Sequence, residues 1–192
     1  SVGGVTLQVE VNLMPGKGDF LLTGQLGDVM KESAQAGISY LRSVASEYGI
    51  GEDFFSKHDI HIHIPEGAVP KDGPSAGVTM TTSLVSALSG IPVRRDIAMT
   101  GEITLTGRVL AIGGLREKST AAYSLGIRTI LIPRDNLRDL KEIDPTVAAE
   151  VNFIPCDTLD DVLDVALVRQ SKSLESYDTS LEDTQPEPKS DI

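Results

Sequence analysis

The 192 residues carry 17 basic and 28 acidic side chains, a formal charge of −11 at pH 7, and are 40% hydrophobic with no tryptophan. That length allows one domain with a proper core. The charge excludes a general nucleic-acid binder or a module that docks on anionic membranes, since both present a basic face.

Taken in chain order, residues 5–12 (VTLQVEVN) alternate as a half-buried strand does, PGKGD at 15–19 predicts a turn, and FLLTG at 20–24 a second strand. The three segments together read as a hairpin. From Asp28 to about Tyr48 the period becomes helical, with Val29, Met30, Ser33, Ala34, Gly37, Ile38, Leu41, Val44 and Ala45 on one face. Asp28 is the expected N-cap and Gly49 the stop.

DIHIHIP at 59–65 predicts a strand with Ile60, Ile62 and Ile64 on one side and His61 and His63 on the other. A Gly- and Pro-rich loop follows, then a helix from about Ser75 to Leu88 with no charge over more than three turns. Such a helix is buried nearly all round. IAMTG, EITLTG and VLAIGG give short strands between glycine turns, and residues 115–126 an Ala-rich helix ending at Gly126. TILIP predicts a buried strand, NLRDLKEI a helix, VNFIP a strand, and TLDDVLDVALV a capped final helix.

Residues 1–168 read as one domain. Residues 169–192 read as an acidic, disordered tail, with six acids against two lysines from 171 onward. No apolar run reaches the length of a membrane span. The opening without Met, directly on strand-like sequence, reads as a segment of a longer protein. Strands and helices mix without steady βαβ alternation, so the fold class is α+β, a compact mixed sheet with packed helices. The single cysteine, Cys156, admits no internal disulfide and no metal-site pattern.

PKDGPSAG, residues 70–77, contains a G-x-S-x-G centred on Ser75. Ser75 reads either as a nucleophile or as an ordinary helix cap. A nucleophile needs a base. The α/β-hydrolase order places histidine after the serine, but His58, His61 and His63 all precede it. The order His61 or His63, Asp72, Ser75 remains open, although strand alternation alone explains both histidines. A lysine base must be neutral, which requires apolar surroundings and no acidic partner. Lys141 lies among acids, Lys172 and Lys189 lie in the tail, and Lys71 sits in an exposed loop. Lys118 is followed by uncharged STAAYSLG and stands near a helix start. It reads as a candidate base or as a surface lysine. GGLREKST at 113–120 lacks the glycine before lysine that a phosphate loop needs, so no nucleotide site is expected there.

PKDGPSAG followed by MTGEITLTGRVLAIGGLREK resembles the C-terminal proteolytic domain of the Lon family of ATP-dependent proteases. The likeness runs through HIHIPEGA (61–68) and covers about residues 1–168. It implies a serine endopeptidase acting on unfolded or damaged proteins through a dyad of Ser75 and Lys118. It further implies that Thr100 aims the lysine amine, and that Asp72 belongs to a serine loop that switches between open and blocked forms. The implied fold is α+β, related to the second domain of ribosomal protein S5. No metal or cofactor is implied in this domain; ATP and Mg belong to an upstream ATPase module, and the working form is a ring of six. The serine loop resembles the bacterial and mitochondrial branch, which implies bacterial cytoplasm, with the mitochondrial matrix as alternative. A non-catalytic ring-forming module of the same fold is the competing reading. Substrate is expected to lie as a strand beside a sheet edge, FLLTG or EGAVP.

Overall fold

The computed structural model describes residues 8–65 and 73–168. The predicted tail and the EGAVP edge lie outside these residues, as do Lys71 and Asp72.

The first strands depart from the hairpin reading. Strand β1 (Glu10–Pro15), β2 (Phe20–Thr23) and β3 (His58–His63) form a sheet in the order β1-β3-β2. β3 is inserted between the other two, antiparallel to β1 and parallel to β2. The turn is therefore not a hairpin loop but a strap across the start of β3. Asp59 Oδ1 accepts the amides of Lys17, Gly18 and Asp19 at 2.9, 3.0 and 2.8 Å. Those backbone donors hold the Asp59 carboxyl below its usual range. Gly16 is required here, because a Cβ would stand 2.1 Å from the Asp59 carboxyl carbon.

Helix α1 (Asp28–Val44) begins one residue earlier in capping terms than predicted. Gly27 is the N-cap, and Asp28 sits in the first turn, where it suits the helix dipole. A short 3₁₀ segment, Ala45–Tyr48, ends at Gly49, whose φ of 72° takes the left-handed conformation that closes helices. Val29 turns outward instead of joining the buried face. A four-residue helix α2 (Phe54–Lys57), absent from the sequence reading, leads into β3. On β3 the alternation holds, with Ile60 and Ile62 buried; Ile64 just beyond is buried too.

Helix α3 (Gly77–Ser89) has no exposed residue, in keeping with its lack of charge. It packs on α1, on β1, on strand β5 (Glu102–Ile103), and on the last helix, α6 (Leu159–Ala166). Small residues let α1 and α3 cross closely. A Cβ on Gly37 would stand 2.2 Å from Thr81 Oγ1, and one on Gly77 2.5 Å from Ser33 Oγ. The pairs Ser33 with Gly37 and Gly77 with Thr81 are each four residues apart, so each lies on one helix face.

Strands β4 (Ile97–Met99), β7 (Thr129–Pro133) and β8 (Asn152–Cys156) form a parallel sheet in the order β4-β7-β8. β5 and β6 (Val109–Leu110) make a small antiparallel pair. Helix α4 (Leu115–Ser124) precedes β7. The segment predicted as a helix before Pro145 is a 3₁₀ run, Arg134–Glu142, followed by a short helix α5 (Pro145–Glu150). Parallel β7 and β8 thus form a local βαβ-like unit within the α+β fold. The final helix is capped as expected: Thr158 and Asp161 form a reciprocal capping box.

Two cores result. The larger joins α1, α3, α6 and the first sheet, including Leu41, Met80, Leu84 and Leu163. The smaller joins α4, α5 and β7 through Leu115, Ala122, Ile130, Ile132 and Val147. β7 is the wall between them, because Leu131 faces the larger core while its neighbours Ile130 and Ile132 face the smaller.

On an exposed helix Gly→Ala gains about 1 kcal/mol of propensity. Gly37→Ala is expected to lower stability instead, because the methyl meets the Thr81 hydroxyl. Urea melts check this: the Gly37→Ala/Thr81→Ala double variant should be more stable than Gly37→Ala alone.

Candidate active site

Ser75 does not cap α3. The N-cap is Ala76, which makes no side-chain cap, and Ser75 Oγ makes no hydrogen bond among the described residues. This removes the capping role that sequence left open. Ser75 sits half-buried in the tight turn before the helix, closed by Gly77 N–H donating to Pro74 O at 3.1 Å.

Three contacts fix that turn. Gly101 N–H donates to Ser75 O at 3.0 Å, and Val78 N–H donates back to Gly101 O at 3.1 Å. From the other side, Ser33 Oγ donates to Pro74 O at 3.2 Å. Gly101 cannot carry a side chain without displacement, since a Cβ would lie 2.6 Å from Val109 Cγ1 and 2.8 Å from Val78 Cγ2. Neither Ser33 nor Gly101 was singled out as functional by sequence. The available signals were a serine in an apolar helical stripe and a glycine directly after Thr100.

Lys118 is the fourth residue of α4, with its N–H donating to Gly114 O at 3.1 Å. Gly114 is the N-cap and adopts φ 74°, a left-handed turn that glycine takes without strain. The Lys118 side chain is half-buried, and Nζ donates to Gly113 O at 3.1 Å. No carboxylate pairs with it among the described residues. Glu117 next to it makes no such contact, as expected for consecutive helix positions. Burial alone pushes the Lys118 amine below its ordinary value.

Ser75, Lys118 and Thr100 line one cavity of about 440 Å³. Much of the remaining wall is apolar, from Ile97, Met99, Leu115, Ala122 and Ile130. Thr100 is buried immediately after β4, and its N–H donates to Leu131 O at 3.1 Å. Among the described residues no hydrogen bond joins its hydroxyl to Lys118 Nζ, which donates to Gly113 O. The site thus lies where β4 ends, with the serine turn on one side and α4 on the other.

The histidines are elsewhere. His61 Nε2 and His63 Nδ1 both contact Thr23 Oγ1, at 2.8 and 2.6 Å. His58 stacks on Phe54 at 4.1 Å between ring centroids. None of the three lines the cavity. Lys141, the other lysine weighed within the described residues, is exposed on the 3₁₀ run. Asp72 lies outside the described residues.

A serine and a desolvated lysine on one cavity are what a serine peptidase domain with a lysine base requires. The family model described as "Lon protease (S16) C-terminal proteolytic domain" matches residues 1–169, and the chain belongs to that family. The Lon protease of Brevibacillus choshinensis is 60% identical over 168 residues, 88% of this chain and 22% of that protein. Lon protease 1 of Bacillus subtilis is 59% identical over 172 residues, 90% of this chain and 22% of that protein. The Lon protease of Geobacter metallireducens is 60% identical over 166 residues, 86% and 20% respectively. The chain spans about a fifth of the length of these curated relatives. Among the described residues no helix is long and apolar enough to cross a membrane.

Gly101→Ala tests the clamp on the serine turn. Overpacking against buried Val78 and Val109 is expected to cost about 1–3 kcal/mol in a denaturant melt. Reactivity of Ser75 toward a fluorophosphonate should fall as well, under conditions where the variant remains folded.

Proposed function

We propose that Ser75 is the nucleophile and Lys118 its general base in the hydrolysis of peptide bonds of unfolded or damaged proteins. The observation that carries this is a lysine without an acidic partner among the described residues, desolvated, opening onto the same cavity as an uncapped serine. Neutral Lys118 takes the Ser75 proton as Oγ attacks the scissile carbonyl. The resulting ammonium then gives that proton to the leaving amine, and the acyl-enzyme is hydrolysed by water with the same lysine as base. Gly77 N–H is already bonded to Pro74 O, so the amides of Ser75 and Ala76 are the donors proposed for the oxyanion. Such a donor contributes about 3–4 kcal/mol to the transition state.

Thr100 is proposed to steady the amine once Nζ leaves Gly113 O, a role consistent with its place in the cavity wall. Asp72 is proposed to act within the serine loop, in its switch between open and blocked forms. Dependence on ATP and Mg, held by an upstream ATPase module, assembly as a hexameric ring, and work in the bacterial cytoplasm are further parts of this reading. The nucleotide does not fit the Gly-Gly-Leu-Arg-Glu-Lys segment of this chain. Glu117 stands where a phosphate loop needs glycine, and Lys118 Nζ folds back on Gly113 O. A purely ring-forming module would leave without a purpose a desolvated lysine on the same cavity as a serine whose hydroxyl has no partner among the described residues.

Ser75→Ala and Lys118→Ala should each lower cleavage of an unstructured polypeptide by about 10³-fold or more, with unchanged circular dichroism. Near-wild-type cleavage by Lys118→Ala, with loss in His61→Ala, would move the base to the histidine.

The depressed amine also fixes two pH responses. The rate should rise with pH through a value below 10.5, the ordinary position of a lysine, as Lys118 loses its proton. Folding stability follows the same sign, because between the lowered folded value and the ordinary one the unfolded chain binds more protons than the folded one, so the cost of burying the ammonium is relieved across that window. Lys118→Met should therefore raise Tm at neutral pH, and the gain should vanish above the ordinary lysine value, where both states are neutral.

A further inference from the structure

The link into α4 is not stiffened by its own sequence. Ile112 is followed by Gly113 and Gly114, and adjacent glycines restrict the backbone least of all residues. Yet Gly113 O is where the Lys118 amine rests, with Nζ donating to it at 3.1 Å. The far end of the link is fixed by α4, where Lys118 N–H donates to Gly114 O at 3.1 Å. The near end is gripped by a side chain. Asn136, in the 3₁₀ run that follows β7, is fully buried. Ile112 N–H donates to its Oδ1 at 3.0 Å, and its Nδ2 donates to Ile112 O at 2.9 Å. A neighbouring strand would exchange this same pair of bonds with a residue; here one amide supplies both. The second Nδ2 hydrogen goes to Asp139 Oδ2 at 2.7 Å, which settles which way round the amide stands. The proton transfer proposed above makes no use of Asn136.

We propose that Asn136 is a positioning residue for the general base: by pinning Ile112 it fixes the Gly113 carbonyl on which the Lys118 amine rests, and so the place from which that amine reaches Ser75. The inference rests on the Ser75–Lys118 reading. A neutral amine carries two N–H donors and one lone pair. With one N–H held by Gly113 O, the lone pair is turned away from that carbonyl and is free to take the serine proton. The lysine stem is long and flexible, so an amine without a fixed acceptor spreads over positions of which few suit the transfer. Loss of the grip therefore slows proton transfer while leaving the serine turn alone, since that turn is held by Gly101 and Ser33. Asn136 acts at one remove, through the Ile112–Gly113 backbone, and touches neither reacting group.

Labelling of Ser75 by a fluorophosphonate, followed by mass spectrometry on the 192-residue chain, tests this. Ser75 Oγ bonds to phosphorus, fluoride leaves, and the serine proton passes to Lys118. Asn136→Asp keeps an acceptor for Ile112 N–H but cannot donate to Ile112 O. It should label about 10- to 100-fold more slowly than the wild-type chain, at a temperature where circular dichroism shows it folded. Asn136→Ser, which leaves room for a water in place of the amide, is read in the same way and serves where Asn136→Asp does not fold. The same substitution in a Lys118→Ala background separates positioning of the base from support of the fold. There the residual rate should change by less than about twofold, because the group through which Asn136 acts is gone. An equal loss in both backgrounds, or no loss with Lys118 present, overturns the role of Asn136 and leaves the base in place. Labelling of Lys118→Ala at the wild-type rate overturns the base assignment, and the inference with it.

Discussion

The backbone exchange between Gly101 and the serine turn is the constraint on which the site depends. One amide of Gly101 holds the Ser75 carbonyl, and the Gly101 carbonyl holds the first turn of α3 through Val78. A serine in a loop has no intrinsic reason to point anywhere. Here its backbone is tied to Gly101, two residues past an edge strand of a parallel sheet, and Ser33 of α1 secures the preceding carbonyl. The absence of side chains at Gly77 and Gly101 is what allows three elements to approach closely enough to do this.

The charge distribution follows from the same arrangement. α3 carries no charge and has no exposed residue, while the apolar wall of the cavity comes from Ile97, Met99, Leu115, Ala122 and Ile130. Lys118 is desolvated by this wall without being enclosed, so its amine can exchange a proton with substrate while avoiding an acid that would hold it charged. Acids elsewhere on the surface are engaged locally, as Asp53 with Lys57 and Asp157 with Arg134. Exposed pairs of that kind add little to stability, but they do not intrude on the cavity.

Much of the local structure is legible in the sequence. Ile60, Ile62 and Ile64 declare a buried strand face, the uncharged run after Ser75 declares a buried helix, and Thr158 with Asp161 declares a cap. What escapes is pairing at long range. Nothing in VTLQVEVN or FLLTG says that β3, some forty residues later, comes between them, because the backbone ladders and the Asp59 contacts that hold it there join residues far apart in sequence. Short helices such as α2 and α5 escape because four to six residues give no period to read. For the site, residue chemistry narrows the base to a few lysines and histidines, and the family resemblance points to Lys118. The shared cavity depends on how α4 packs against β7, which spacing alone does not encode.

The wall formed by β7 gives the pair an unequal footing. Ala76, next to the serine, belongs to the larger core, whereas Leu115 and Ala122, on either side of Lys118, belong to the smaller one. The proposed nucleophile and the proposed base are thus mounted on two separately packed bodies that share a single strand. Any loosening confined to the smaller body withdraws Lys118 and leaves Ser75 standing. The gap between Ser75 and Lys118 is accordingly a gauge of how tightly the lesser body is seated against the greater.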